Sequence, residues 1–406
     1  MKTTLTFLAF LFTVCAAANA QVVPAGTAGA ATLNYSLRYS QTADLYGNGL
    51  GNQQRAVASG DLNYMNGSER LPFAVDYSGG YIWTIAGPSY DTGLFQRLLL
   101  SQGIVWRKWK VTVSDDVNYT PQAPTTCFSG IPGIGEPIGG CGTTPPSDQS
   151  ILTLNTHTVN NIASGNVGHP LNYATTLSAG VSSELRRYPD GNGLDINQLM
   201  ANAELTRRLN VRNALTGTYM FSQYSYPDSG FSFQVNSGLF GFKRLWNAKI
   251  NSEIAAGPEW KSSSNSAVVP SSTTVAANAA VRYKYRFVTA SLTYIRAANN
   301  GGGYLFGAES DSVSANYTRE FGRKLTIGLT GDYRRTSGLI HNGVTNAKFG
   351  SAQATRLFGR HFTAFANYTA IDQSSSSALP ANTLSTLQQV IGFGVTYSPR
   401  KTHLSH

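Results

Sequence analysis

The sequence predicts an all-β chain that closes into an antiparallel transmembrane barrel of about 18 strands, with about 16 as the alternative. Three observations support this fold. Long segments alternate apolar and polar residues, the turns between them are alternately short and long, and the chain begins with an export signal. Alternation with a period of two is the pattern of a strand that has one apolar and one polar face.

The alternation extends further than it does in ordinary soluble strands. Residues 33–40, 171–182 and 325–334 keep it without interruption. Soluble strands most often have about 5–6 residues, whereas strands that cross a membrane need about 9–11. The length of these segments therefore favours strands that span a membrane.

Five tight turns recur at a regular interval in the second half of the chain. They are centred at residues 208, 245, 284, 322 and 359, with spacings of 37, 39, 38 and 37 residues. The connections between them are longer and rich in Gly, Ser and Asn: 261–274, 299–309, 337–346 and 372–385. Short turns at one end and long loops at the other are typical of outer-membrane barrels. A propeller blade has a similar period but fits four short strands into it, whereas each interval here holds two long ones.

Eighteen candidate strands follow from these patterns. They cover residues 32–40, 56–65, 71–83, 94–104, 107–119, 151–160, 170–184, 196–208, 211–224, 230–243, 247–258, 276–285, 287–298, 311–321, 324–336, 346–358, 361–371 and 388–398. An even number returns both ends of the barrel to the same side of the membrane. Changes of phase at Gly79–Gly80 and within 346–358 predict β-bulges.

The first 20 residues predict a cleaved signal peptide. Lys2 precedes an apolar run, and Ala18-Asn19-Ala20 has the small-x-small pattern of a cleavage site. The run is shorter than the ~20 residues that a spanning helix needs, so removal is favoured over anchoring. The predicted organisation is a signal peptide at 1–20, a short periplasmic segment at 21–31, the barrel at 32–398 and a short tail at 399–406.

The charge pattern argues against nucleic-acid binding. Lys and Arg number 31 and Asp and Glu number 21, and cleavage after Ala20 removes one charge, Lys2. The bases occur singly or in pairs such as Arg207-Arg208 and Arg334-Arg335, so they form no basic patch. Export argues further against a nucleic-acid partner.

Cys127 and Cys141 are the two cysteines left after cleavage. They lie 14 residues apart in a segment rich in Gly and Pro, without a nearby His and without a C-x-x-C motif. In an oxidising compartment such a pair forms a local disulfide rather than a metal site or a redox pair. We therefore predict a Cys127–Cys141 disulfide in the 120–150 loop, and leave open whether that loop plugs the pore.

Catalytic and nucleotide-binding motifs do not occur in the sequence. There is no G-x-S-x-G, no P-loop and no H-E-x-x-H. The six His are dispersed, and four of them adjoin turns or loops. We expect no enzymatic activity, no metal and no cofactor.

The polar face of the strands predicts which residues line the lumen, because the apolar face of a membrane barrel meets lipid. Fourteen charged residues of both signs are assigned to this face: Arg38, Asp61, Asp76, Lys110, Asp116, Glu204, Arg212, Lys249, Glu253, Arg282, Lys284, Glu320, Asp332 and Arg334. Gln234 and Asn236 are assigned to it as well. Aromatic residues near strand ends, such as Tyr64 and Trp109, predict two girdles at the membrane surfaces.

The series of hairpins and the last strand resemble Gram-negative outer-membrane porins and porin-like barrels. Ile391, Phe393, Val395 and Tyr397 alternate in a final strand that is similar to the signal recognised by the barrel-assembly machinery. The resemblance implies a place in the outer membrane and contact with its lipid bilayer. It also implies passive diffusion of small hydrophilic solutes, and the residues assigned to the inner face and the turns predict a mixed-charge, slightly basic lumen for it. The alternative is a structural or adhesive barrel that acts through its long loops without open-channel conductance; a homo-oligomer is left open.

Overall fold

The computed structural model describes residues 31–46, 52–89, 92–121, 157–265, 269–322, 324–340, 343–376, 387–399 and 402–404. The predicted signal peptide at 1–20 lies outside the described residues. So does the predicted Cys127–Cys141 disulfide with most of the 120–150 loop.

Eighteen long strands make up most of the described chain. The first nine are β1 (Ala31–Tyr46), β2 (Gln53–Met65), β3 (Phe73–Ala86), β4 (Gly93–Trp106), β5 (Trp109–Thr120), β6 (Thr158–Pro170), β7 (Thr175–Arg187), β8 (Ile196–Arg208) and β9 (Asn213–Tyr226). The second nine are β10 (Phe231–Leu245), β11 (Ile250–Ser263), β12 (Ser272–Tyr285), β13 (Val288–Asn299), β14 (Ala308–Phe321), β15 (Leu325–Gly338), β16 (Val344–Phe358), β17 (Phe362–Ser375) and β18 (Leu387–Tyr397). A short strand, β19 (Thr402–Leu404), follows in the tail. No helix in the described ranges is long and apolar enough to cross a membrane.

The strands form one closed antiparallel sheet. Each of the 18 strands pairs with its sequence neighbours, and β1 closes the sheet by pairing with β18. β19 adds a short pairing with the first three residues of β1. A closed sheet has no row of unpaired backbone groups, which is what a hydrocarbon environment requires. The predicted all-β barrel of 18 strands is therefore confirmed.

The connections at the two ends of the barrel differ in length. At one end, called here the short-turn end, the turns that follow the even-numbered strands have two to seven residues. All five predicted tight turns fall at this end. The connections at the opposite, long-loop end include residues 188–195, 300–307 and 339–343. The barrel thus has the asymmetry that its sequence predicts.

The two faces of the sheet differ in chemistry. On the outer face, large apolar side chains such as Leu37, Leu292 and Phe393 are more than half exposed. On the inner face, polar side chains such as Ser40 and Asp44 are buried. An apolar exterior around a polar interior is the arrangement of a barrel that is surrounded by lipid.

The sixth strand lies further along the chain than the sequence predicts. The expected strand at 151–160 is displaced, because β6 begins at Thr158 and β7 begins at Thr175 rather than at residue 170. Polar residues occupy both faces of β6, with Asn160 inside and Asn161 outside. The alternation that marks the other strands is therefore absent here.

The bulges predicted from phase changes are wrong. The β2–β3 register is continuous at Gly79–Gly80, and the shift in this pair lies at Gln54/Arg55; the β16 registers are continuous too. Glycine is instead required at residue 80 by close packing. A Cβ on it would lie 2.6 Å from the ring of Phe95 and 2.3 Å from the carbonyl oxygen of Ala58.

Candidate functional site

The connection between β13 and β14 folds into a compact loop. Residues 300–307, called here the inner loop, contain Gly301–Gly303, whose φ angles are +70°, +70° and +82°. Side chains with a Cβ rarely adopt these angles, which explains the three glycines. The side-chain oxygens of Asn299 and Asn300 accept hydrogen bonds of 2.9 and 3.0 Å from the N–H groups of the first two glycines. The sequence Asn-Asn-Gly-Gly-Gly therefore fixes the local shape of this loop.

The inner loop reaches strands that are not its neighbours. The N–H of Leu194, in the β7–β8 connection, donates to the carbonyl of Gly303 at 2.7 Å. The hydroxyl of Tyr226, at the end of β9, donates to the carbonyl of Asn300 at 2.8 Å. The strands β7 and β13 stand six positions apart in a closed sheet of 18. Contacts over a third of the circumference run through the interior, so the inner loop crosses the lumen at the long-loop end.

An apolar cluster on the inner wall holds the inner loop. Tyr226, Phe231 and Phe233 are buried on inward positions of the β9–β10 hairpin. Phe306 of the inner loop lies edge-on to Tyr226 and Phe231, with ring centroids 5.2 and 5.6 Å apart. Full burial of a Phe side chain contributes about 1.5–3 kcal/mol, and Phe306, which is partly buried, contributes a fraction of this. The loop is therefore docked rather than loosely placed.

The same hairpin overturns one expectation. Gln234 and Asn236 are predicted to face the lumen, but Phe233 and Val235 face inward and the two polar residues face outward. The prediction assumes that the apolar face of a strand meets lipid. That assumption fails where a docked loop provides a dry surface inside the barrel.

Tyr188 packs against the inner loop from the β7–β8 connection. Its side chain is buried, and this burial raises the pKa of its hydroxyl, so the group stays neutral. A Cβ on Gly303 would lie 1.9 Å from the Tyr188 hydroxyl oxygen. The docked position of the inner loop therefore requires glycine at residue 303.

Charged side chains face the lumen on β1 to β5. Apart from the buried ion pair Asp44–Arg55 and Lys110, they form one group, called here the acidic wall: Arg38, Asp61, Asp76, Arg97 and Asp116. The guanidinium of Arg97 donates to the Asp116 carboxylate through contacts of 2.7–3.1 Å. The guanidinium of Arg38 donates to the hydroxyl of Thr396 at 3.1 Å. With three carboxylates and two bases, the wall has a small negative excess.

Bases predominate on the inner face near the short-turn end. Four exposed side chains, called here the basic mouth, stand on inward positions: Lys110, Arg208, Arg282 and Lys284. The neighbouring Lys243 is neutralised by Glu253 at 3.2 Å and Glu204 at 3.5 Å. The strands β3 and β12 stand nine positions apart in the sheet of 18. Asp76 on β3 and Arg282 on β12 are therefore on opposite sides of the lumen.

The register places the predicted lumen residues as follows. Twelve stand on inward positions of strands: Arg38, Asp61, Asp76, Lys110, Asp116, Glu204, Glu253, Arg282, Lys284, Glu320, Asp332 and Arg334. Arg212 and Lys249 lie instead in short turns, because β9 begins at Asn213 and β11 begins at Ile250. These two bases sit at the rim of the barrel.

The sequence pattern misses other inward charges. Arg97 is missed because its two neighbours on the inner face of β4, Phe95 and Leu99, are apolar. The sequence therefore shows no polar face at this strand. The two-residue turn after Trp106 would have predicted the inward position of Arg97. That turn fixes the register of β4 and β5, which places Arg97 opposite Asn118 and on the same face as Asp116.

Lys261 is missed because it was assigned to a long loop, whereas β11 continues to Ser263. Its ammonium lies 2.7 Å from the carboxylate of Glu309, which also binds Arg296. Glu259 accepts a hydrogen bond of 3.2 Å from the N–H of Ala298. These contacts join β11, β13 and β14 at the base of the inner loop, so they steady the two strands that carry it.

His157 and Asp190 join the start of β6 to the β7–β8 connection. The backbone N–H of His157 donates to the Asp190 carboxylate at 3.0 Å, and the ring Nδ1 contacts the same oxygen. Burial alone would raise the pKa of Asp190, but the hydrogen bonds from His157 outweigh it and lower that pKa. A lowered pKa means that this contact stabilises the fold above the ordinary Asp range and is lost as the pH falls through the lowered value.

Acidification is therefore expected to loosen the β7–β8 connection while the barrel stays folded. Hydrogen exchange of residues 188–195, measured at neutral pH and below the ordinary Asp range, checks this. The variant Asp190→Asn should show the faster exchange already at neutral pH. Protection factors, corrected for the intrinsic exchange rate at each pH, that stay constant through the whole titration would refute the role of this pair.

The comparisons with known proteins concern the fold. No protein-family model matches the chain, and no curated protein sequence is significantly similar to it. Among solved structures, OccK2 (OpdF) of Pseudomonas aeruginosa has a TM-score of 0.50 at 12% identity, covering 91% of this chain and 98% of that one. OccAB4 of Acinetobacter baumannii has a TM-score of 0.50 at 11% identity, covering 93% and 100%.

The fold is a porin barrel. Both similar structures are Gram-negative outer-membrane porins, so the resemblance inferred from the hairpins and the last strand is confirmed at the level of the fold. At these identities the likeness does not extend to substrates. The chemistry of the solutes has to be inferred from the side chains that line the lumen of this chain.

Proposed function

We propose that this protein is an outer-membrane channel for the passive diffusion of small hydrophilic solutes. The observation that carries the proposal is the polar, charged inner wall of a closed 18-strand barrel. Barrels of 16–18 strands leave an aqueous channel, whereas small ones are filled by their own side chains. Solutes would pass the inner loop at the long-loop end and the basic mouth at the short-turn end.

The proposed orientation follows from the connections. Outer-membrane barrels have short periplasmic turns and longer extracellular loops. The short-turn end, which holds both ends of the barrel sheet, would then face the periplasm, and the inner loop would narrow the channel near the cell exterior. The last strand, β18, would be the segment presented to the barrel-assembly machinery.

The charges of the lumen favour small ionic or polar solutes. The acidic wall lies on β1 to β5, and two bases of the basic mouth, Arg282 and Lys284, lie on the opposite side of the lumen on β12. Charges of both signs across a narrow lumen orient polar solutes and disfavour apolar ones. The basic mouth has four exposed bases, which supports a slightly basic entrance.

A closed barrel that acts through its loops is the competing function. The docked inner loop favours it, because Gly301–Gly303 and Tyr304 are buried across the lumen. Such a barrel would hold its shape in the membrane but pass no ions. The two functions differ in a single measurable property, which is conductance.

Planar bilayers separate the two functions. The mature chain, refolded in detergent and added to one side, is expected to give ohmic single-channel steps. Folding is verified by the change in gel mobility on heating, and heat-denatured protein is the control. Folded barrels that insert without conductance would contradict the channel and support the closed barrel.

A further inference from the structure

Three of the regularly spaced turns are preceded by the same motif, Arg-x-aromatic. The three copies are Arg244-Leu245-Trp246, Arg319-Glu320-Phe321 and Arg356-Leu357-Phe358. Residues two apart share a face of a strand, and in each copy that face is the outer one. The guanidinium carbons lie 4.1, 4.6 and 5.1 Å from the ring centroids, in that order. Each arginine is therefore held over an aromatic ring on the outside of the short-turn end.

Two further arginines occupy unusual backbone positions at the same end. Arg107 and Arg286 open two-residue turns with φ angles of +53° and +48°, and they are the only non-glycine residues with positive φ in the described ranges. Such positions favour Gly, Asn or Asp. Each guanidinium also lies near an outward ring, 5.5 Å from Trp106 and 5.2 Å from Tyr285. An arginine kept at a strained turn position points to a use for its charge.

These arginines have no acidic partner in the part of the chain that the structure describes. The group is called here the basic belt: Arg107, Arg244, Arg286, Arg319 and Arg356. All five are exposed, and none forms an ion pair there. The nearby carboxylates Glu204, Glu253 and Glu320 stand on the inner face, behind the barrel wall. Glu69 in the β2–β3 turn is an exposed carboxylate at this end, and the outer rim of the short-turn end therefore has an excess of positive charge rather than a balance.

We propose that the basic belt binds the phosphate groups of anionic phospholipids in the leaflet at the short-turn end. Outward aromatic rings mark the headgroup level of a membrane, so the stacked guanidinium groups lie where lipid phosphates lie. Arginine binds phosphate with two parallel hydrogen bonds and stacks on aromatic faces at the same time. Consecutive hairpins are about 10 Å apart, twice the strand spacing, so each hairpin offers its own site. The proposal rests on the membrane barrel and not on conductance.

Trp246 is a local reporter for the site at Arg244. The full mature chain with its other tryptophans replaced by phenylalanine is refolded into vesicles of phosphatidylcholine. These vesicles contain either brominated phosphatidylglycerol or brominated phosphatidylcholine, and bromine quenches the indole on contact. Phosphatidylglycerol is expected to quench Trp246 at lower mole fraction. In Arg244→Gln this preference should fall by about fivefold, the effect of one base near a lipid surface.

Two matched variants test whether the site is local and depends on charge. Arg335→Gln removes an exposed, outward arginine near the long-loop end of β15 and should leave the preference unchanged. Arg244→Lys keeps the charge and should retain most of it. Heat-dependent gel mobility shows that each variant is folded, and conductance is measured separately, so a failed channel does not affect this test.

Three results would overturn the proposal. An unchanged preference in Arg244→Gln would remove the arginine from the site. An equal loss in Arg335→Gln would mean a general surface-charge effect. A preference abolished by inorganic phosphate, but not by chloride at the same ionic strength, would assign the site to free phosphate rather than to a lipid headgroup.

Discussion

Gly303→Ala is expected to open the channel and raise its single-channel conductance severalfold. The added Cβ would stand 1.9 Å from the hydroxyl oxygen of the buried Tyr188. The φ angle of +82° disfavours alanine as well, at a cost of about 1–2 kcal/mol. Because the Tyr188 side chain is buried, we expect the clash to displace the inner loop from its docked position. The lumen then loses the segment that crosses it.

Gly322→Ala is the matched control for backbone strain. Gly322 also has a positive φ, +64°, but a Cβ there meets no atom within 4 Å. It lies in the β14–β15 turn, outside the lumen, so the conductance of this variant should equal that of the unmodified protein. Single-channel recording and limited proteolysis at residues 300–307 are measured together for both variants. A released loop without a change in conductance would show that the inner loop does not limit the channel.

The strand order of the barrel is readable from the sequence because its determinants are local. Residues 325–334 show the strand period directly, and each tight turn near 37-residue intervals fixes the hairpin that it joins. All 18 predicted strands therefore overlap the observed ones in order. β6 is misplaced because Asn160 and Asn161 put polar groups on both faces, so no periodic signal exists there.

The interior is less predictable because its determinants are distant in sequence. Tyr226 and Asn300, joined by a hydrogen bond, are 74 residues apart. Nothing near Phe233 in the sequence shows that the loop after β13 will cover it. The apolar face of this strand is therefore predicted to face lipid. Arg97 is a milder case, since the register from its own hairpin places it beside Asp116. Local patterns thus define the wall, whereas the contents of the lumen require the closed sheet.

Neutralising Lys110, Arg282 and Lys284 together is expected to shift the selectivity of the channel towards cations. All three are exposed on inward positions, and none forms an ion pair with another described residue. The carboxylates of the acidic wall are unaffected by the change. The unmodified protein should show a weak anion preference, because the basic mouth is opposed by the small negative excess of the acidic wall.

The anion preference proposed for the basic mouth differs from a general charge effect in two ways: it depends on salt, and it depends on which face of the barrel carries the charges. The Debye length is about 8 Å at physiological ionic strength and about 3 Å at 1 M salt, so the anion preference should fade as salt is raised. Reversal potentials across a KCl gradient measure it. As a control, Arg244, Arg319 and Arg356 are replaced together by Gln. These side chains stand on the outer face of the barrel, so the reversal potential should stay that of the unmodified protein. Strong cation selectivity of the unmodified protein at low salt would mean that the acidic wall, and not the basic mouth, controls the passage of ions.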